Sequence, residues 1–184
     1  MNDLINIETQ RLIIRPFEKK DLNSFIAFML DEESTRFLMF SDDQKTRSGA
    51  TQLFEMIITS YKTSSPVHSY VIALKDDRYI GSCGFSPLFG LDHIVECYYS
   101  LLPKYTHKGY ATEALLALID FCFKKFNIDE IRAYMHPQNP SSEGVAKRVN
   151  MQYLGIKSHP QFKIDGKLYV IKKINFESNF DTEN

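Results

Sequence analysis

The fold is decided around residues 107–119, HKGYATEALLALI, where a basic pair and a glycine run directly into an apolar helical pattern. Apolar side chains recur at the spacing of one helical face, so the sequence predicts a helix from about Ala111 to Phe126. Its polar stripe is narrow, which indicates that other elements cover most of the helix. The basic residues and the glycine therefore stand at the N-terminus of a largely buried helix.

This helix N-terminus has the features of an anion site. Its first N–H groups have no acceptor inside the helix, and the helix dipole is positive there. Gly109 lacks the Cβ that would keep a phosphate away from the backbone, and His107, Lys108 and Lys104 add positive charge. The stretch is neither a P-loop nor a three-glycine dinucleotide motif. The alternative interpretation is an ordinary strand-to-helix turn with surface lysines.

Patterns on both sides of this helix predict the remaining elements. Strands are predicted near residues 12–16, 69–74, 79–85, 94–102 and 131–136, and helices near residues 22–29, capped by Asp21, and 53–61. Asn139 and Pro140 open a short helix that ends near Asn150. Two last strands, near residues 153–158 and 168–176, flank the hairpin signal Asp165-Gly166.

This order of elements predicts an α/β protein of the mixed α+β kind. We expect a mixed, largely antiparallel sheet of about seven strands with helices on both faces, because adjacent strands joined by short turns pair antiparallel. The 184 residues contain no internal repeat and no Pro/Gly/Ser linker. Residues 1–184 are therefore predicted to form a single domain.

Composition narrows the classes of function. The formal net charge is -1, from 22 Lys plus Arg and 23 Asp plus Glu, so charge gives no argument for a nucleic-acid or anionic-membrane partner. The three cysteines form no CxxC pair and no zinc-like spacing, so no metal site is predicted and a reduced, cytoplasmic location is expected. The sequence shows no signal peptide and no stretch long enough to span a bilayer.

Residues 98–114, YYSLLPKYTHKGYATEA, resemble the signature region of the GCN5-related N-acetyltransferase (GNAT) superfamily, and within it the RimJ/RimL-like branch. Residues 8–22, ETQRLIIRPFEKKDL, are similar to the first strand and turn of that branch, and residues 139–155, NPSSEGVAKRVNMQYLG, to its Asn-x-x-Ser helix and the following strand. The resemblance implies a GNAT fold and an N-acetyltransferase that uses acetyl-CoA as co-substrate.

The resemblance also implies the cofactor site. The family pattern Gln/Arg-x-x-Gly-x-Gly/Ala binds the pyrophosphate and falls here on Thr106, Gly109 and Ala111, where Thr106 replaces the usual long polar side chain. The thioester is expected beside the backbone of Leu101 and Leu102. The implied cofactor-binding residues are Leu101, Leu102, Thr106, His107, Lys108, Gly109, Tyr110, Ala111, Thr112, Asn139 and Ser142. For Asn139 and Ser142 a plain helix cap is the alternative, and both roles are compatible.

Acetyl transfer to an amine requires a neutral amine held against the acetyl thioester. Glu96 is the candidate general base, since burial in an apolar strand would raise its pKa; a structural glutamate paired with Lys or Arg is the equal alternative. The resemblance places Ala146 where many relatives carry a Tyr acid, so either coenzyme A leaves without an acid or Ser142 or a bound water assists the leaving thiolate. Cys97 is expected to be an inert packing residue.

The acceptor stays open between a protein N-terminal amine and a small-molecule amine such as a polyamine. His93 and His136 are candidates to line the acceptor site, with simple exposure as the alternative. A different class of function is also open, namely a non-catalytic acyl-CoA-binding sensor or interaction module, favoured by the residues at positions 106 and 146. The sequence leaves a monomer and a homodimer equally possible.

Overall fold

The fold is a mixed α/β arrangement built on one sheet. The structure is a computed structural model that describes the backbone of residues 4–180 and the side chains of residues 4–177. Within these residues eight strands follow the order β1-β2-β3-β4-β5-β6-β8-β7. The strands are β1 (Ile7–Glu8), β2 (Leu12–Arg15), β3 (Ser69–Leu74), β4 (Tyr79–Pro87), β5 (Ile94–Leu101), β6 (Glu130–Met135), β7 (Gln152–Ser158) and β8 (Asp165–Lys172).

Six α-helices accompany the sheet in the described part of the chain: α1 (Leu22–Leu30), α2 (Glu32–Thr35), α3 (Arg47–Ser60), α4 (Tyr110–Lys125), α5 (Pro140–Arg148) and α6 (Lys173–Phe180). The pairs β1–β2, β2–β3, β3–β4, β6–β8 and β7–β8 are antiparallel, whereas β5 and β6 are parallel and α4 connects them. The predicted mixed, largely antiparallel fold class is confirmed, with eight strands where about seven were expected. The prediction missed β1 and α2, which are only 2 and 4 residues long.

The backbone of the chain packs into two compact units, each built from two segments of the sequence. The first comprises the described residues up to Gly84 together with Tyr99–Ala117, and the second comprises Phe85–Tyr98 together with the described residues from Leu118 onward. Strand β5 and helix α4 each contribute residues to both units.

The core of the first unit is an aromatic cluster between helices α1 and α3 and strands β3 and β4. Phe17 meets Phe25 and Phe54 edge-on, with ring centroids 5.2 and 5.7 Å apart, and all three rings are buried. Edge-to-face packing of this kind adds to the free energy gained from burial of the rings. Phe25 of α1 and Ile57 of α3 lie in this cluster, as their helical spacing predicted, but Met56 of α3 is 49% exposed and Phe54 contributes the buried ring instead.

A buried ion pair fixes the chain between β2 and α1. The Arg15 guanidinium donates to both carboxylate oxygens of Asp21, at 2.7 and 2.9 Å, and also to Asp77 at 2.8 Å. The hydrogen bond that Arg15 donates to Asp21 is the main cause of its raised pKa. The predicted capping of α1 by Asp21 is wrong, because its carboxylate accepts from the N–H of Glu18 and from Arg15 instead.

We expect Asp21→Asn to lower the free energy of unfolding by about 3 kcal/mol, because it leaves the Arg15 guanidinium buried with reduced charge compensation. Side-chain exposure is 8% for Arg15 and 5% for Asp21, so water cannot replace the lost partner. Urea unfolding measures the change. Asp76→Asn, which removes a carboxylate from an exposed pair with Arg78, is the matched control and should change stability little. Equal effects of the two changes would contradict this account of the pair.

Residues of β6, β8 and the C-terminal half of α4 form the core of the second unit. Phe123 of α4 packs against Phe176 of α6, and Phe126 packs against Phe85, with centroids 5.5 Å apart in both pairs. Tyr169, on the central strand β8, is almost fully buried. Apolar residues of α4 that lie on one helical face therefore reach this core, as the spacing predicted.

Two predictions about the C-terminal segment are wrong. The strand expected at residues 168–176 ends at Lys172, where its register with Glu130 of β6 ends, and Lys173–Phe180 forms α6. Asp165-Gly166 is not the hairpin turn, since both residues belong to β8. A Cβ on Gly166 would lie 2.9 Å from the carbonyl oxygen of Met135, so the glycine permits close strand approach rather than a turn.

The actual connection between β7 and β8 is a longer loop over residues 159–164. The N–H of His159 donates to the carbonyl of Ile164 at 2.8 Å, and the N–H of Lys163 donates to the carbonyl of His159 at 3.0 Å. Lys163 has a φ of 56°, in the left-handed region. The loop thus brings His159 to the base of the hairpin, where its side chain is buried.

Candidate active site

A tight turn delivers the chain from β5 to the N-terminus of α4. After β5, residues Pro103–Tyr105 form one turn of 3-10 helix, and Gly109 then adopts a φ of 81° immediately before α4 begins at Tyr110. This φ lies in the left-handed region, which glycine adopts without a steric penalty. His107 also has a left-handed φ, of 58°. The two left-handed residues therefore bend the backbone of the loop immediately before α4.

The first turn of α4 can bind an anion. The N–H of Glu113 donates to the carbonyl of Gly109 at 3.1 Å, so the α4 hydrogen-bond pattern starts at this glycine, and the N–H groups at such a helix N-terminus are in general available to an external acceptor. Lys104, His107 and Lys108 are exposed around this turn, and both lysine ammonium groups lie over the Tyr105 ring, at 5.0 and 5.7 Å. Amides at the positive helix end with two exposed lysines beside them suit a diphosphate.

The Thr106 side chain serves the turn. Its hydroxyl donates to the carbonyl of Pro103 at 2.8 Å, which closes the 3-10 turn that precedes the loop. The backbone N–H of Thr106 donates to the same carbonyl at 3.1 Å. The threonine hydroxyl therefore stabilises the conformation of the loop. The longer side chain of Gln or Arg has no hydroxyl to make this short bond to Pro103.

Arg11, directly before strand β2, binds the loop and is called the clamp below. The sequence did not indicate this role. The Arg11 guanidinium donates to the carbonyl of Lys108 at 2.9 Å and to Glu113 at 2.6 Å, and it lies 4.8 Å from the centre of the Tyr110 ring. Burial raises the pKa of Glu113, but hydrogen bonds from Thr9 and Arg11 outweigh that effect and leave the pKa lowered. Glu113 is thus held as an anion that positions Arg11.

The end of β5 is tied to β4 and to α2. The N–H of Leu102 donates to the carbonyl of Ile80 at 2.9 Å. The Ser100 hydroxyl donates to the carbonyl of Ser34 at 2.6 Å, and the Ser34 hydroxyl approaches the carbonyl of Leu101 at 3.5 Å. Because successive N–H groups of a strand point to opposite edges, the Leu101 amide points away from Ile80. Of the two amides predicted beside the thioester, that of Leu102 is already bonded.

Glu96 lies at the point where β5 stops pairing with β6. The parallel register recorded for the two strands runs from Ile94↔Glu130 to Glu96↔Arg132, and β5 itself continues to Leu101. Burial raises the pKa of Glu96, and a hydrogen bond from His159 opposes part of that rise. The side chain is 19% exposed. The side-chain partner of Glu96 is His159, at 2.7 Å, rather than a Lys or Arg.

Asn139 and Ser142 form the N-terminal cap of α5. The Asn139 side-chain oxygen accepts from the N–H of Ser142 at 3.1 Å, and its amide nitrogen donates to the Ser142 hydroxyl at 3.0 Å. Pro140 occupies the first turn, and Asn150 closes the segment with a φ of 60°, as predicted. Ala146 is fully buried. The helix-cap role of both residues is therefore confirmed, and it leaves their side chains partly exposed.

Glu143, next to Ser142, anchors the first turn of α5 to β8. Hydrogen bonds from Lys147 and then Lys167 lower the pKa of Glu143 to about 2. The Tyr169 hydroxyl donates to the same carboxylate at 3.0 Å. These contacts hold the cap of α5 in place with a carboxylate that stays ionised at neutral pH.

The remaining candidates take less part in the chemistry. Burial raises the pKa of the Cys97 thiol to about 12, so this cysteine is a packing residue, as expected. His93 and His136 are both exposed; the ring nitrogen Nδ1 of His93 lies 2.8 Å from the Asn127 carbonyl oxygen, and that of His136 accepts from the Gln138 N–H at 3.2 Å. Neither contact indicates an acceptor site.

The predicted residues fall into both compact units. Leu101, Leu102 and Thr106–Thr112 belong to the first unit, where Arg11 joins the loop, and Glu96, Asn139 and Ser142 belong to the second. No group of three or more His, Cys, Asp or Glu residues within positions 4–180 is arranged to bind a metal ion. Over the same described range, none of the helices has the length and apolar character that a bilayer crossing requires.

The family model of the acetyltransferase (GNAT) domain matches residues 11–152, a span that contains the clamp, the loop, Glu96 and the α5 cap. The chain belongs to the GNAT acetyltransferase family. GNAT acetyltransferases take the acetyl group from acetyl-CoA, and the anion-binding features of the loop before α4 fit the pyrophosphate of that co-substrate. The predicted family and the predicted acetyltransferase activity are confirmed.

Relatives of this GNAT protein share most of its length. The uncharacterized N-acetyltransferase YnaD of Bacillus subtilis (strain 168) is 29% identical over 154 residues, which cover 82% of this chain and 85% of the relative. Mycobacterium smegmatis RimJ, solved in complex with CoA-disulfide, is 17% identical with a TM-score of 0.72 and covers 89% of this chain and 83% of its own. The ribosomal-protein-S5-alanine acetyltransferase from Vibrio fischeri is 20% identical, with a TM-score of 0.73 and coverages of 94% and 98%. These two structures show that the GNAT chain shares their fold.

Proposed function

We propose that this GNAT protein moves the acetyl group of acetyl-CoA directly to a primary amine, either a protein N-terminus or a small molecule. The observation that carries the proposal is Glu96, a partly exposed side chain whose carboxyl pKa is raised by burial and which lies on the strand that leads into the loop before α4. A general base of this kind accepts the proton of an attacking amine. The likeness in fold to the ribosomal-protein-S5-alanine acetyltransferase of Vibrio fischeri supports a protein as one acceptor class.

Each cofactor-binding residue has a proposed role. The amides of Gly109, Tyr110 and Ala111 bind the pyrophosphate, Lys108 and His107 add charge, and Thr106 and Thr112 belong to the same loop. The amide of Leu101 binds the thioester carbonyl, and Leu102 flanks it through its side chain. Asn139 and Ser142 contact the cofactor arm from the α5 cap.

In the proposed reaction the amine nitrogen forms a bond to the acetyl carbon, the carbon–sulfur bond breaks, and the amine proton passes to Glu96 directly or through a water. Acetyl-CoA supplies the acetyl group as a thioester whose thiolate is a good leaving group. The chain contributes position and electrostatics: donors for the carbonyl oxygen, a base for the amine and a rigid loop for the nucleotide. Ser142, or a water it holds, is the proposed source of the proton for the thiolate, because the position equivalent to the usual Tyr is Ala146.

A non-catalytic acyl-CoA-binding module is the second candidate. The observations that favour it are Thr106, whose hydroxyl is committed to Pro103, and Ala146, which cannot donate a proton. Both functions are compatible with a cytoplasmic location, and both are compatible with a monomer or a homodimer.

Two measurements separate the candidates. Acetyl-CoA at a hundred times its Kd is expected to stabilise the protein by about 2.7 kcal/mol, read as a rise in Tm. Thiol release is then followed with acetyl-CoA and two acceptor probes, a peptide with an N-terminal alanine and spermidine. Release that depends on acceptor supports the transferase. Stabilisation without release above the acceptor-free background would leave only the binding module.

A further inference from the structure

A histidine that the sequence reading did not single out is bonded to the candidate base. The Nε2 atom of His159 lies 2.7 Å from Oε2 of Glu96, and the two residues are 63 positions apart in the chain. The His159 side chain is 6% exposed, against 19% for Glu96. Of the two side chains, that of Glu96 is therefore the more exposed.

The backbone of the β7–β8 loop sets the tautomer of this imidazole. The N–H groups of Gln161 and Phe162 both donate to Nδ1 of His159, at 3.1 and 3.2 Å. An atom that accepts two N–H donors carries no proton, so the ring proton is on Nε2 and is donated to Glu96. Loop geometry therefore determines that His159 is a donor toward the carboxylate.

Aromatic contacts fix the plane of the imidazole. The Tyr134 ring meets it edge-on with centroids 4.6 Å apart, and the Phe162 ring lies tilted at the same distance. The N–H of His159 bonds to the carbonyl of Ile164, which ties the main chain at the same place. A buried ring held on both sides has little freedom to turn away from Glu96.

Other charged and titratable groups surround this pair. Arg132 of β6 stands in register with Glu96 but donates to Glu130 of the same strand at 2.6 Å. The backbone of Tyr134 bonds to Glu96, and the neighbouring Cys97 is a neutral buried thiol. Because Arg132 has its own carboxylate partner, His159 is the main side-chain donor that favours the ionised form of Glu96.

We propose that His159 is a positioning residue for the reaction: it orients the Glu96 carboxylate and keeps it ready to accept the proton of the attacking amine. This inference rests on the proposed function of Glu96 as general base. The amine proton goes to Glu96, while the proton on Nε2 of His159 stays where it is. A fixed carboxylate oxygen lowers the reorganisation needed in the transition state.

Two substitutions separate positioning from a purely structural role. His159→Gln keeps a nitrogen donor at the position of Nε2 but loses the acceptor for the loop amides. His159→Asn keeps an acceptor at the position of Nδ1 but loses the donor to Glu96. Positioning predicts that the Asn variant loses about tenfold in kcat with an unchanged KM for acetyl-CoA, and that the Gln variant stays near wild type.

The pH profile gives the readout that a structural role would not move. Removing the donor disfavours the carboxylate, so the pKa of Glu96 rises further and the acid limb of kcat/KM shifts to higher pH, by about one unit in His159→Asn. The acid limb of His159→Gln should stay in place. The opposite pattern, with loss in the Gln variant and a wild-type profile in the Asn variant, overturns the proposal, as do two variants that both match wild type.

A measurement on the wild type covers the case in which a variant does not fold. The imidazole ¹⁵N resonance of Nε2 should shift with the same midpoint as the acid limb of kcat/KM, and a resonance insensitive to that transition overturns the proposal.

Acceptor probes are the N-terminal alanine peptide and spermidine, with thiol release as the assay. Failure of the wild type to release thiol refutes the proposed function. Release in variants with wild-type rate and pH profile refutes only the role of His159.

Discussion

Gly109→Val is expected to weaken acetyl-CoA binding by about a hundredfold while the chain stays folded. The φ of 81° at Gly109 is unfavourable for any residue with a Cβ, and most of all for a β-branched one. A non-glycine residue in this region costs roughly 1–3 kcal/mol, and each 1.4 kcal/mol of lost binding energy is tenfold in Kd. Relief of that strain moves the amides that precede α4.

Arg11 increases the effect. A Cβ at position 109 would lie 3.2 Å from Nη2 of Arg11, the same guanidinium that bonds the carbonyl of Lys108. A larger side chain therefore pushes on the clamp as well as on the backbone of the loop. Calorimetric titration with acetyl-CoA measures the Kd directly.

Gly90→Val is the matched control. Gly90 also has a positive φ, of 75°, but nothing lies within 4 Å of a Cβ built there, and it belongs to the turn between β4 and β5. The same backbone strain is thus introduced outside the loop. A Kd unchanged in both variants would mean that the geometry before α4 does not determine binding of the nucleotide.

Glu96→Gln is expected to lower kcat for amine acetylation by about 10²–10³-fold, since general base catalysis contributes on that scale. The amide keeps the size of the side chain and a partner for His159, but it cannot accept a proton from the amine. Wild type should lose activity as the pH falls through the raised pKa of Glu96, because only the ionised carboxylate is a base. In the variant, this acid limb should disappear from the pH profile.

The control for Glu96→Gln is the same change at Glu8, a strand carboxylate in β1 that pairs with Lys75 at 3.1 Å. Acetyl-CoA affinity should be unaltered in both variants, which separates loss of chemistry from loss of binding. A Glu96→Gln enzyme with the wild-type rate and the wild-type acid limb would rule out Glu96 as the base.

Local patterns in the sequence predicted much of this fold. β3 coincides with the predicted residues 69–74, and α4 begins and ends within one residue of its prediction, because alternation and helical spacing are properties of consecutive residues. The Asp165-Gly166 signal failed for a tertiary reason, the close approach of Met135 to Gly166. The strand predicted through Phe176 failed because Phe176 packs on Phe123 from a helix.

In the candidate site too, features made by consecutive residues could be predicted, whereas contacts between distant residues could not. The glycine and the helix that follows it are contiguous, so the turn at Gly109 and the start of α4 could be predicted from residues 107–119 alone. Arg11 and Glu113 are 102 positions apart, and Glu96 and His159 are 63 apart, so no spacing rule connects them. A Lys or Arg partner of Glu96 belonged only to the structural alternative, because those are the usual partners of a carboxylate. Only the path of the β7–β8 loop brings a histidine there instead.

The central claim is that the amides at the start of α4 hold the pyrophosphate of acetyl-CoA. Backbone amide NMR during a titration with coenzyme A tests it most directly. The account predicts that the largest shifts, saturating with the calorimetric Kd, occur at Gly109, Tyr110 and Ala111. Saturating binding that leaves these three amides unmoved, with the largest shifts elsewhere in the chain, would contradict it.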